Sequence, residues 1–167
     1  MEFHGMLPVH DRPEATEGYE GFSHLCAMQG EVELATLEYI IRDHDRASFE
    51  ARKALFESAA AFLNAKYGAG TVEVALRDSY YNMREKIEPH MAIVEAAQQA
   101  MRDAGVTPRV VPIRGGTDGA RLSYEGLPCP NLFTGGENYH GRFEYVPVED
   151  MEAAVRTLKC ILRNAAK

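Results

Sequence analysis

Between residues 24 and 43, Leu25, Ala27 and Val32, then Leu37, Tyr39 and Ile41, alternate with polar neighbours. A period of two predicts half-buried strands, here joined as a β-hairpin. Gln29-Gly30-Glu31 or Glu33-Leu34-Ala35-Thr36 supplies the turn. The period then becomes helical over residues 46–67, where Phe49, Leu55, Phe56, Ala59, Ala60 and Leu63 fall on one face. Asp45 suits the N-cap of that helix and Gly68 its C-terminal stop. Alternation returns over residues 71–77 and predicts a third strand. Strand, strand, helix, strand is a ferredoxin-like βαββαβ unit without its first strand and most of its first helix.

The second half has a different beat. Residues 90–104 predict a helix with Pro89 near its start, Ile93, Val94, Ala97 and Met101 on one face, and Gly105 at its end. Residues 108–113 suit a buried strand. Gly115-Gly116-Thr117-Asp118-Gly119 then leads into a short helix that ends at Gly126. Another strand is expected over residues 129–134. A final helix over 148–164 should turn Met151, Ala154, Val155, Leu158, Ile161 and Leu162 inward. Alternating helices and strands predict an α/β domain with a parallel sheet. Two strands are too few for such a sheet, so its remainder is expected elsewhere.

The composition is that of an ordinary globular protein: 167 residues, 46% hydrophobic and 26% charged. A net charge of −7 without a basic stripe argues against a nucleic-acid partner. No apolar run approaches the ~20 residues that span a bilayer, so no membrane partner is expected. The first residues lack the basic and apolar stretches of a secretory signal. Cys26, Cys129 and Cys160 are odd in number and widely spaced, against both a disulfide framework and a thiolate zinc site. Reduced cysteines fit the cytoplasm.

Four stretches carry candidate chemistry. In Ile113-Arg114-Gly115-Gly116-Thr117-Asp118-Gly119 a strand ends, an Arg follows, and glycines let backbone approach a ligand. An Arg there offers a planar fork for a carboxylate or phosphate; the alternative is a tight turn with a surface Arg. In Thr134-Gly135-Gly136-Glu137-Asn138-Tyr139-His140-Gly141 a His sits in a Gly-rich loop, as a zinc ligand or as a surface residue. Arg42-Asp43-His44-Asp45-Arg46 reads as a solvated turn from which Arg42 alone reaches a pocket. In Asp78 through Glu85, Tyr80 and Tyr81 either line a site or pin a domain junction, and the junction is the favoured reading. A dinuclear hydrolytic site needs several carboxylates and histidines plus a general base. That set cannot be assembled from this sequence.

Several stretches together resemble the peptidase T family of bacterial tripeptide aminopeptidases, dizinc exopeptidases related to aminoacylase. They are Pro13 through Phe22 (PEATEGYEGF), Tyr39 through Asp43 (YIIRD), Asp78 through Lys86 (DSYYNMREK), Ile113 through Ala120 (IRGGTDGA) and Leu127 through Gly136 with Asn138-Tyr139-His140-Gly141. They run in the family's order across nearly the whole chain. The resemblance implies a catalytic α/β domain that holds two zinc ions and an inserted ferredoxin-like lid. Residues 1–87 correspond to the later part of the lid or dimerisation domain, with residues 1–7 the tail of a lid helix. Residues 88–167 correspond to the closing part of the catalytic domain.

The same resemblance makes His140 the last zinc ligand and Arg114 the clamp for the substrate's C-terminal carboxylate. It makes Arg42 a lid residue that approaches the bound tripeptide. Gly115, Gly116 and Thr117 would shape the pocket floor with backbone groups. The family's HxD segment, bridging Asp, Glu-Glu pair with the general base, further Asp ligand and lid His are not in this sequence. No catalytic residue is therefore expected here, at most one zinc ligand is present, and the isolated chain should be inactive. Glu137 lies beside the ligand loop without an assigned role.

Three readings compete: a portion of the enzyme, a non-catalytic peptide-binding or interaction module derived from it, and a truncated reading frame in which Met1 is an internal methionine. A sheet cut through its middle exposes apolar faces and strand edges. Self-association, or pairing with the missing N-terminal portion, is therefore expected.

Overall fold

The computed structural model describes residues 2–166, which divide into two units. One comprises the described residues through Asn82 together with Val111–Gly116. The other comprises Met83–Val110 and the described residues from Thr117 onward. The chain is mixed helix and strand, as the sequence expects.

In the first unit, β1 (Phe22–Gly30) and β2 (Ala35–Arg42) form an antiparallel hairpin with Phe22 opposite Arg42. Leu25, Ala27, Leu37, Tyr39 and Ile41 are half-buried, as the alternation predicts. The turn runs from Glu31, whose N–H bonds the Leu34 carbonyl at 2.7 Å, and so lies between the two expected positions. Val32, expected inward, stands at its tip and is fully exposed. Residues that leave the ladder no longer obey its period.

Helix α1 (Glu2–Met6) lies in the expected lid-helix segment; Met1 is outside the described residues. Helix α2 (Arg46–Tyr67) is capped as read: Asp45 Oδ1 accepts from the Ser48 N–H at 2.8 Å. At its other end Gly68, at φ 114°, closes the helix onto the Asn64 carbonyl in a conformation that a side chain would disfavour. Phe56, Ala59, Ala60 and Leu63 bury one face of α2. Phe56 meets Phe3 and Tyr39 edge-on, with centroids 5.9 and 5.0 Å away. The predicted strand over residues 71–77 does not form. Instead the Asn64 amide bonds both the N–H and the C=O of Val72, at 2.8 and 2.9 Å. Those are backbone groups that a ladder would have used.

The second unit contains α3 (Arg84–Ile87), α4 (Met91–Asp103), α5 (Asp118–Tyr124) and α6 (Val148–Ala165). Helices α4 and α6 pack together, with Ala100 and Thr157 almost fully buried. The strands expected over residues 108–113 and 129–134 are absent, because no ladder partner lies beside them among the described residues. Met151, Val155, Leu158 and Leu162, expected inward on α6, are exposed. Helix α6 thus carries apolar side chains on two faces, and α4 covers one. No helix of the described residues is long and apolar enough to cross a membrane, and all three cysteines are free.

Candidate functional site

Arg42 is the last residue of β2, directly across the ladder from Phe22. The chain just beyond it is tightly held. Asp43 accepts from Arg52 Nε at 2.8 Å and from the Asp45 N–H at 3.0 Å, and its side chain is only 5% exposed. Arg52 Nη1 also lies 2.7 Å from Asp11, as an ion contact without hydrogen-bond alignment. Within the expected solvated turn Asp45 and Arg46 are exposed and Asp45 caps the helix, whereas Asp43 departs from the expectation. Asp43 is a buried anchor, and it fixes the strand end from which Arg42 projects.

The Arg42 guanidinium lies 5.7 Å from the centre of the Tyr80 ring. Arg114 belongs to the same unit. Its Nη1 donates to the Thr16 carbonyl at 2.6 Å and its Nη2 to the Thr16 hydroxyl. Its guanidinium also covers the Phe22 ring at 4.8 Å, and its Nε is buried without an acceptor. The hairpin end thus brings both cations to one neighbourhood: Arg114 rests on Phe22, and Phe22 pairs across the strands with Arg42. Among the described residues neither guanidinium has a carboxylate partner. Unneutralised arginines held by aromatic faces suit an incoming carboxylate, which accepts two parallel N–H bonds.

Gly116 closes this neighbourhood. The Tyr80 hydroxyl occupies the space that a Cβ at residue 116 would need, and Arg42 Nη2 is 3.4 Å from the same point. Gly115 faces open space. Thr117, in the second unit, is the N-cap of α5; its hydroxyl accepts from Ala120 N–H and from the Asn131 amide, both at 3.2 Å. The side chain of Thr117 is occupied by helix capping.

His140 lies in a loop closed by a bridge between Glu137 and Tyr145, which gives Glu137 a backbone role. It is exposed and left-handed, at φ 63°, and its N–H donates to Glu144 at 2.9 Å. The loop borders an open cavity of about 560 Å3 lined by Thr134, Gly136, Tyr139, Glu144 and Tyr145 among others. Among the described residues no three His, Cys, Asp or Glu side chains converge as metal ligands. The donor set does not by itself fit a zinc centre, for which three or four protein ligands are the rule.

Thr16, Phe22 and the Asp43–Arg52 pair escaped the sequence reading as site residues. No local pattern links Thr16 to an arginine 98 positions away. The two tyrosines separate cleanly. Tyr81 bonds Glu50 and Asp78 at 3.0 Å and stacks on Arg46, whereas Tyr80 goes to Arg42 and Gly116.

The model of peptidase family M20/M25/M40 matches residues 8–164. A Peptidase T of Shouchella clausii is 59% identical over 167 residues, all of this chain and 41% of that protein. One of Caldanaerobacter subterraneus subsp. tengcongensis is 58% identical with the same coverage. The chain thus spans about 41% of the length of the curated relatives it matches. The crystal structure of aminopeptidase PepT from Bacillus cereus matches 99% of this chain and 44% of that chain with a TM-score of 0.65. At 20% identity that likeness speaks for the fold alone.

Proposed function

This chain belongs to peptidase family M20/M25/M40, and from that premise we propose that it is a portion of a peptidase T-like, zinc-dependent aminopeptidase that acts on tripeptides in the cytoplasm. The observation that carries the reading is the 59% identity to a Peptidase T along the whole chain. Residues 1–87 are assigned to the lid and 88–167 to the catalytic domain. Arg114 and Arg42 bind the substrate's C-terminal carboxylate. That neither guanidinium has a carboxylate partner among the described residues supports this role, as does their contact with aromatic rings, while Thr16 holds Arg114 in place. Gly115, Gly116 and Thr117 line the pocket with backbone. His140 contributes one ligand to a zinc site whose other donors lie outside the described residues. The isolated chain is inactive, and it associates with itself or with a complementary portion.

One observation favours a second reading. The arginine pair is assembled while a metal-ligand cluster among the described residues is not. A module that binds peptides without cleaving them has that profile. The test is to measure zinc stoichiometry and tripeptide hydrolysis on one purified, zinc-loaded and desalted sample. The expected result is little retained zinc and no turnover. Two tightly held zinc ions with turnover would overturn the portion reading. Tripeptide binding without turnover would support the module.

A further inference from the structure

We propose that Tyr80 is a ligand-binding residue of the arginine site, its hydroxyl donating a hydrogen bond to the C-terminal carboxylate of a bound peptide. This rests on the reading of Arg42 and Arg114 as a carboxylate clamp.

The geometry singles out Tyr80 from its neighbour. Tyr81 uses its hydroxyl on Glu50 and Asp78 and is consumed by the fold. The Tyr80 hydroxyl has no hydrogen-bond partner among the described residues. It is nevertheless not loose. Its ring lies beneath the Arg42 guanidinium, and the hydroxyl rests against Gly116 in space that only glycine leaves free. The site is therefore built around this oxygen.

The donor inventory then limits what the hydroxyl can do. Arginine offers N–H donors and no acceptor. The phenolic proton cannot be received by Arg42 or Arg114, and no carboxylate is paired with either of them among the described residues. Tyr80 is half-buried, so water accepts this proton in the free chain, and once a ligand displaces that water the acceptor comes from the ligand. A carboxylate supplies two oxygens with about four lone-pair sites, enough for a guanidinium fork and one phenol. A terminal carboxamide presents N–H donors to the same cations and offers a single acceptor oxygen. Tyr80 thereby sharpens the choice of a free C-terminus over a blocked one.

The test is calorimetric titration of the full chain with trialanine and with trialaninamide, for the wild type, Tyr80→Phe and Tyr81→Phe. The expected result is about a tenfold loss of trialanine affinity in Tyr80→Phe, the scale of one hydrogen bond to a charged acceptor. Trialaninamide binding should be unchanged, and Tyr81→Phe should leave the acid-to-amide ratio at the wild-type value. Gly116→Ala pushes the hydroxyl away without removing it, and should reproduce the selective loss. This second variant keeps the test decisive if Tyr80→Phe folds poorly. A wild-type acid-to-amide ratio in both Tyr80→Phe and Gly116→Ala overturns the role of Tyr80 and leaves the arginine clamp standing. A wild-type chain that binds acid and amide equally, or binds neither, overturns the clamp and Tyr80 with it.

Discussion

At the scale of single residues, His140 is the position where conformation and chemistry conflict. It is held at φ 63°, and Asn138 two positions earlier is at φ 55°. A left-handed backbone costs a non-glycine residue about 1–2 kcal/mol. The His140 ring has no partner among the described residues that would offset it. Strain without local return points to a role for the side chain beyond the fold. His140→Gly should therefore not lower thermal stability, because relief of strain roughly balances the added chain entropy of glycine. A melting temperature several degrees below wild type would show instead that the imidazole serves the fold. The arginines are legible as candidates because each follows an apolar run, and two glycines follow Arg114, although only the run before Arg42 forms a strand. Thr16 and Phe22 were not legible as their supports, because both contacts with Arg114 join parts of the chain that are far apart in sequence.

At the scale of elements, α2 was read correctly because all its signals are local: a helical period, Asp45 as cap and Gly68 as stop. The strands that the sequence predicts over 71–77, 108–113 and 129–134 do not form among the described residues, because a strand exists only with a partner and the period of a segment does not supply one. The junction of α2 with residues 78–81 depends on an ionic cluster rather than on a ladder. Lys53 Nζ lies 2.9 Å from both Asp78 and Glu50, and the Tyr81 hydroxyl donates to both carboxylates at 3.0 Å. The Lys53 hydrogen bond holds Asp78 below its ordinary 3.8 and Glu50 below its ordinary 4.5. Hydrogen bonds to Asp78 and then Glu50 hold Lys53 above 10.5 and Tyr81 above 10.0. A lowered carboxylate contributes stability above its unfolded value and loses it as pH falls through the folded one. A raised ammonium or phenol contributes below its unfolded value and loses it as pH rises through the folded one. The stability difference between wild type and Lys53→Met should thus be flat between about pH 4.5 and 10. It should close toward zero as pH falls through the lowered carboxylate values, and only begin to shrink above pH 10.5, where unfolded Lys53 starts to lose its proton. Melting temperatures measured from pH 2.5 to 11 check this, and a difference that persists unchanged below pH 3 would remove the carboxylates from the account.

At the scale of the whole molecule, an uncovered apolar stripe meets a net negative charge. Met151, Val155, Leu158 and Leu162 on α6 are 45–71% exposed although their spacing is that of a buried face. Full burial of such side chains is worth about 1.5–3 kcal/mol each, so roughly half of that per residue remains unused on this helix. A stripe of this kind drives association. The chain's charge of −7 opposes contact between copies. Salt screens that repulsion over about 8–10 Å near physiological strength and leaves apolar burial intact. Self-association should therefore increase with salt, the reverse of what an assembly held by ion pairs would show. Sedimentation velocity at low and at near-physiological salt should show a concentration-dependent shift to larger species in the latter. Leu158→Lys combined with Leu162→Lys should abolish the shift, because each ammonium must then be desolvated in the contact. A chain that stays monomeric at every salt and protein concentration, and melts in one sharp transition, would show that α6 needs no cover. The association assigned to this portion of a peptidase would then be wrong.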